Sequence, residues 1–314
     1  MNKITIIGTG SVGSTIAYTL TVSGLASEIV MIDVNDEKAL GEALDIRQGT
    51  PFCSPCNIYA GSYRDAANSD IVIITSGVAR KPGQSRLDLA QTNVNILKSI
   101  TPQIVRYAPH ASYIIVSNPV DVLTYTFCKL SGLPEHQILG SGTILDTARL
   151  RSRLSEYYHI SQQNVHAYVM GEHGDSSFVP WSLANISNVP IKSYASSLSG
   201  MNGLCPPLDY EEVETYVRKS GARVIARKGA TFYAVSVSVC HICKCILSGV
   251  DTTMTVSTMM HGEYGIDDVA LSVLTVVGRE GARGKVLLPL TEEEQALLRK
   301  SADSLKTVIQ SLDI

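Results

Sequence analysis

The chain has 314 residues, of which 45% are hydrophobic and 18% charged, and a formal net charge of -3. It is long enough for a substantial core and for two lobes. Its weakly acidic balance excludes the basic footprint that nucleic acid or an anionic membrane selects, so the expected partner is a small molecule.

Taken in chain order, MNKITIIG drops directly into a strand pattern and has no room for a secretory leader. Six apolar runs follow one another: KITII, EIVMIDV, NIYAG, DIVIIT, SYIIVS and QILG. The intervals between them are long enough for crossover helices. The runs are near-continuously apolar rather than alternating, which requires cover on both faces. The fold class they predict is α/β, a doubly wound parallel (Rossmann) sheet.

Beyond residue 142 long helices mix with strand-like segments such as NVHAYVM and MTVSTMM. This predicts a Rossmann domain over 1–142 and a second, α+β domain over 143–314. The run from 231 to 250 carries His241 and Lys244 near its middle, so it reads as a buried helix and not a membrane span. The last segment predicts a helix opened by a Thr291/Glu294 capping box. Seven cysteines in so long a chain, an odd number, argue for free thiols and a cytoplasmic location. Cys53 and Cys56 are spaced as a CxxC, and Cys240, Cys243 and Cys245 lie beside His241. The second group falls in a small-residue apolar helix pattern, where cysteine serves as a compact hydrophobe, and no metal is expected.

GTGSVG, residues 8–13, follows a strand and leads into the helical segment STIAYTLTVSG. Gly8 suits the tight turn, Gly10 lets a pyrophosphate approach the backbone, and Gly13 permits close helix packing. The helix N-terminus then offers amides to the phosphates. Asp33 closes the second strand, 20 residues past Gly13. There a carboxylate accepts ribose hydroxyls and repels a ribose phosphate, so the predicted cofactor is NAD and not NADP.

The candidate chemistry begins with His173, between glycines in GEHGDS. A lone histidine there is as readily structural. Asp146 and Arg149 are three residues apart on a predicted helix and share a face, either as a surface ion pair or as part of a site. Arg151 points about 200° away from Arg149 and needs a separate role. GVARKPGQSR, residues 77–86, sets Arg80, Lys81 and Arg86 among turn residues without a carboxylate, a segment suited to closing on an anion.

Through GTGSVGS, KPGQSRLDL, VSNPVDVLTY, GSGTILDTARLR, GEHGDSS and KGATFYA, the chain resembles the L-lactate/malate dehydrogenase family along essentially its full length. GSGT and GEHGDSSFVPWS favour the bacterial L-lactate branch. The resemblance implies that His173 acts as acid and base, that Asp146 orients it, and that Arg86 stabilises charge developing on the substrate oxygen. It implies that Arg149 grips the substrate carboxylate, with Asn118 and Thr231 lining the pocket. Ser11, Val12 and Gly77 would join Gly8, Gly10, Gly13 and Asp33 around NAD. The substrate would be a small 2-oxo or 2-hydroxy acid.

Arg80 falls at the family's specificity position, where lactate enzymes often carry Gln and malate enzymes Arg. A guanidinium facing a methyl loses its hydration without gaining a partner, which favours oxaloacetate. The surrounding motifs, and the freedom of a long side chain to turn to solvent, favour pyruvate. Gln84 is a second departure, standing where many lactate enzymes have Glu. Both substrates stay open, with pyruvate preferred, and a non-catalytic NAD sensor is the alternative of another class. The resemblance also implies a fructose 1,6-bisphosphate effector held by Arg151 and His166, and a homotetramer.

Overall fold

A computed structural model describes residues 2–78, 85–199 and 208–314, except for the side chain of Arg86. The first half alternates β1 (Lys3–Ile7), α1 (Ser11–Val22), β2 (Glu28–Ile32), α2 (Asp36–Gly49), β3 (Asn57–Ala60), β4 (Ile71–Ile74), α3 (Arg86–Tyr107), β5 (Ser112–Ile115), α4 (Val120–Ser131) and β6 (Ile138–Gly140). All six strands pair in parallel in the order β3-β2-β1-β4-β5-β6, as the apolar runs predict. Ile4 of the central strand lies in register with Ile29 on one side and Ile71 on the other, and all three are fully buried. Strand order reverses between β1 and β4, which opens a crevice at the carboxyl ends of those strands.

The second half contains α5 (Ile144–Tyr158), β7 (Val165–His166), β8 (Asn185–Ile186), β9 (Val189–Pro190), α6 (Ile191–Ser197), α7 (Tyr210–Lys228), α8 (Tyr233–Ser248), β10 (Thr252–His261), β11 (Asp267–Gly278), β12 (Gly281–Lys285) and α9 (Glu292–Gln310). The long strands of this half do not build a separate sheet. β10 pairs antiparallel with β6 at Ser257 and Gly140, so that β10, β11 and β12 extend the parallel sheet to nine strands among the described residues. One apolar cluster runs through both halves, from Val72, Tyr113 and Ile115 to Val269, Leu271 and Leu298.

Two expectations need correction. NVHAYVM forms a ladder only over β7: Met170 makes an isolated antiparallel bridge to Phe178, and the main chain of Val169 bonds to side chains of α5 and its approach. The Thr143 hydroxyl donates to the Val169 carbonyl (2.6 Å), and the Val169 N–H donates to Thr147 Oγ1 (2.9 Å). The helix in 231–250 is half-buried: Ile242 and Cys243 are fully covered, whereas Tyr233 and Val237 on α8 face outward. Among the described residues no helix is long and apolar enough to cross a membrane, and no cluster of ligating side chains could hold a metal ion.

The predicted capping box at Thr291 is present, and the same Glu294 carboxylate reaches further. It accepts from the Thr291 N–H (3.0 Å), the Ser182 N–H (3.0 Å) and the Ser182 hydroxyl (2.6 Å), which ties α9 to the loop after the His173 segment. Glu294→Ala removes the acceptor shared by these solvent-accessible donors, and the expected loss is roughly 1–2 kcal/mol of unfolding free energy in a urea titration.

Candidate active site

Gly8 (φ +100°) ends β1, and a Cβ on Gly13 would stand 1.9 Å from the Gly8 carbonyl oxygen, so only glycine lets α1 start this close to the strand. At Gly10 a Cβ would meet nothing within 4 Å, which leaves open space over the turn. Gly10 caps α1 without a side-chain bond, so the first-turn amides of Ser11, Val12 and Gly13 carry no side-chain cap. These are the properties of a helix N-terminus that receives a pyrophosphate.

Asp33 faces the same turn. Its Oδ2 accepts from the Thr9 N–H (2.6 Å) and the Thr9 hydroxyl (3.0 Å), and its Oδ1 from the Asn35 N–H (3.0 Å). Burial opposes ionisation, but these donors outweigh it and hold the carboxyl below its ordinary value. An anion fixed at the end of β2 fits a ribose diol and rejects a ribose phosphate.

Across the crevice Asn93 of α3 binds two segments at once. Its Oδ1 accepts from the Val78 N–H (2.9 Å), beside Gly77, and its Nδ2 donates to the Asn118 carbonyl (2.7 Å). Nothing in the sequence singled Asn93 out, since its function depends on a long-range approach of α3 to the ends of β4 and β5.

Asn118, Asp146, Arg149, His173 and Thr231 line one cavity of about 320 Å³, together with Val12 from the first turn of α1. Asp146 is the hub. Its Oδ2 bonds Nδ1 of His173 at 2.5 Å, and its Oδ1 accepts from Nη1 of Arg149 at 2.9 Å. The His173 loop is anchored by the two residues before it. Gly171 (φ +93°) exchanges main-chain bonds with Ser272 of β11, and a Cβ there would sit 2.7 Å from Ser301 Oγ. The Glu172 N–H donates to the Ser301 hydroxyl oxygen (2.8 Å).

Burial disfavours the imidazolium of His173, but the charge and hydrogen bond of Asp146 outweigh it and Asp121 adds to them, so the imidazole pKa is raised above its ordinary 6.5 despite the nearby Arg149. Burial likewise opposes ionisation of Asp146, and His173 and Arg149 reverse it, lowering that carboxyl. The two shifts agree on a charged pair. With Nδ1 committed to Asp146, Nε2 is the ring atom left for proton transfer.

Two charged residues here were absent from the sequence reading. Arg218 of α7 lines the cavity, with its guanidinium engaged by Glu214 (2.8 Å) and the Ser177 carbonyl (3.0 Å). Asp121 of α4 accepts the His173 N–H at 2.7 Å. Its signal was a carboxylate between two valines in VSNPVDVLTY, an odd residue for an apolar run.

Arg80 lies outside the described residues, as does Gln84, and Arg86 opens α3 with its side chain undescribed. Arg151 turns away from Arg149, as the helical angle requires, into another cavity with Tyr168 and His241. Its Nη2 donates to the Gln162 carbonyl (3.0 Å). His166 is exposed on β7 and does not line that cavity.

Residues 2–140 match the family model described as lactate/malate dehydrogenase, NAD binding domain, and residues 143–313 match the alpha/beta C-terminal domain of the same family. The chain belongs to the lactate/malate dehydrogenase family. Family membership makes NAD the cofactor. It is 48% identical over 314 residues to the L-lactate dehydrogenase of Thermoanaerobacter pseudethanolicus, covering 100% of both chains. It is 45% identical to that of Acetivibrio thermocellus, covering 100% of this chain and 98% of the other. Among solved family structures it resembles the minor L-lactate dehydrogenase of Enterococcus mundtii with a TM-score of 0.93 and 36% identity, covering 100% of this chain and 99% of that one. A lactate dehydrogenase from a Medee basin deep-sea metagenome library gives the same TM-score of 0.93, also at 36% identity, covering 99% of this chain and 98% of that one.

The raised imidazole pKa is directly measurable. In ¹⁵N-histidine NMR, His173 should titrate above 6.5 in the parent, and Asp146→Asn should bring its midpoint down by about one pH unit or more.

Proposed function

We propose that this chain catalyses the reversible reduction of pyruvate to L-lactate. The observation that carries the reading is the Asp146 carboxylate joining His173 and Arg149 in one cavity at the switch point of the sheet. A pure nucleotide sensor has no need to assemble that set. Bound NADH would supply the hydride to the substrate's carbonyl carbon. His173 donates a proton from Nε2 to the carbonyl oxygen, and takes it back when lactate is oxidised. Asp146 holds the ring and favours its charged form.

Arg149 presents its guanidinium to the substrate carboxylate, whose charge it pairs in two parallel bonds. Its tether to Asp146 fixes the distance between the carboxylate grip and the proton donor, and so the orientation of the reacting carbon. Asn118 and Thr231 complete the wall. Arg86 is assigned to the developing oxyanion from its place in the family motif. Gly8, Gly10, Ser11, Val12, Gly13, Asp33 and Gly77 are assigned to the dinucleotide.

Arg80 sustains the reading as a malate dehydrogenase, because a second carboxylate would satisfy it. The lactate dehydrogenases at 45–48% identity support pyruvate. Steady-state kinetics with NADH should give a higher kcat/KM for pyruvate than for oxaloacetate, and Arg80→Gln should widen that ratio. A parent enzyme that prefers oxaloacetate contradicts the assignment. Arg149→Lys, which keeps the charge and loses the fork, should lower kcat/KM for pyruvate by about 100-fold, or ~2.7 kcal/mol.

Regulation and assembly complete the proposal. Arg151 and His166 are assigned to a fructose 1,6-bisphosphate effector, the chain to a homotetramer, and its place to the cytoplasm. The sugar bisphosphate should lower the pyruvate KM of the parent and leave Arg151→Gln unaffected. An unchanged KM and sedimentation coefficient in the parent would remove the effector.

A further inference from the structure

Asp121 is 2% exposed, at the second position of α4 between Val120 and Val122. Its Oδ2 is used by the His173 N–H at 2.7 Å, whereas its Oδ1 has no hydrogen-bond partner. Ser257 of β10 lies beside it and favours its ionised form, yet the Ser257 hydroxyl also lacks a partner in hydrogen-bonding geometry. A neutral amide would accept the same N–H without the cost of burying an anion. A carboxylate retained here therefore points to electrostatics as well as anchoring, and the N-terminus of α4 offsets part of its burial.

We propose that Asp121 is a positioning residue of the catalytic centre: it pins the main chain of His173 and, as an anion, shares with Asp146 the work of keeping the imidazole protonated. The inference rests on the reading of His173 as the acid–base group. The charges facing that imidazole come from α5 and α4. Asp146 and Arg149 belong to α5 and Asp121 to α4, while Glu172 of the histidine's own loop faces Asp121 and opposes its ionisation, and β10 offers the neutral Ser257. Burial pushes the Asp121 carboxyl up to about 6, partly opposed by Ser257 and His173, so it is ionised at neutral pH and loses its charge on acidification.

The test is Asp121→Asn in the full chain, with kcat/KM for pyruvate and NADH followed across pH. In the parent, kcat/KM should fall as pH rises through the His173 midpoint. In the variant the fall should move to lower pH by about one unit, a roughly tenfold loss on the alkaline side with the acid plateau close to the parent's. A lowered plateau with an unmoved midpoint is what a merely structural residue gives, and it overturns the proposal. Should the variant not fold, histidine NMR of the unmutated protein decides. The His173 resonance should show a second inflection near pH 6 from Asp121, and a single inflection overturns the proposal. A parent that fails to oxidise NADH with any 2-oxo acid offered removes the underlying reading itself, an outcome distinct from an active parent matched by its Asn variant.

Discussion

A single carboxylate organises the catalytic half of the crevice. Asp146 gives one oxygen to His173 and the other to Arg149, so the groups proposed to move a proton and to grip the substrate share one support. The support is itself buried, with Asp146 6% exposed, and an unpaired carboxylate there would be protonated or destabilising. Two cationic partners make the charge tolerable, and that charge in turn raises the histidine's pKa. Structure and reactivity are thus set by the same pair of hydrogen bonds.

The elements around this pair supply opposite kinds of precision. The three-residue spacing of Asp146 and Arg149 on α5 is local and follows from helical geometry. The approach of His173 is not local: it depends on Gly171 crossing to β11, on Ser301 of α9, and on Asp121 of α4. Glu294 then fastens α9 to the Ser182 turn a few residues downstream. The histidine loop is held from several directions, as a site that must keep a proton donor within hydrogen-bonding reach demands.

What could be read from the sequence follows that division. The parallel strands, the Gly8–Gly13 turn, Asp33 and the Asp146/Arg149 spacing are encoded within short segments, each with its own period. β11 was not foreseen, because its residues alternate between apolar clusters on both faces and so lose the polar alternation that marks a strand. NVHAYVM looked like a longer strand than it is, since side chains of α5 satisfy its backbone. Asp121 and Asn93 are ordinary residues until α3 and α4 pack against the strand ends, and no spacing rule reports such meetings. The resemblance supplied roles for His173 and Arg149, whereas the sharing of one carboxylate between them is seen only in the folded site.

The junction of Gly140 with Ser257 makes the parallel and antiparallel strands one sheet, with a common apolar interior on its flank. Two lobes that share both a sheet and a core have no seam about which to swing. A shared sheet and core of this kind oppose clamshell closure between the halves. The catalytic distances set by Asp146 would then survive each round of substrate entry and product departure unchanged.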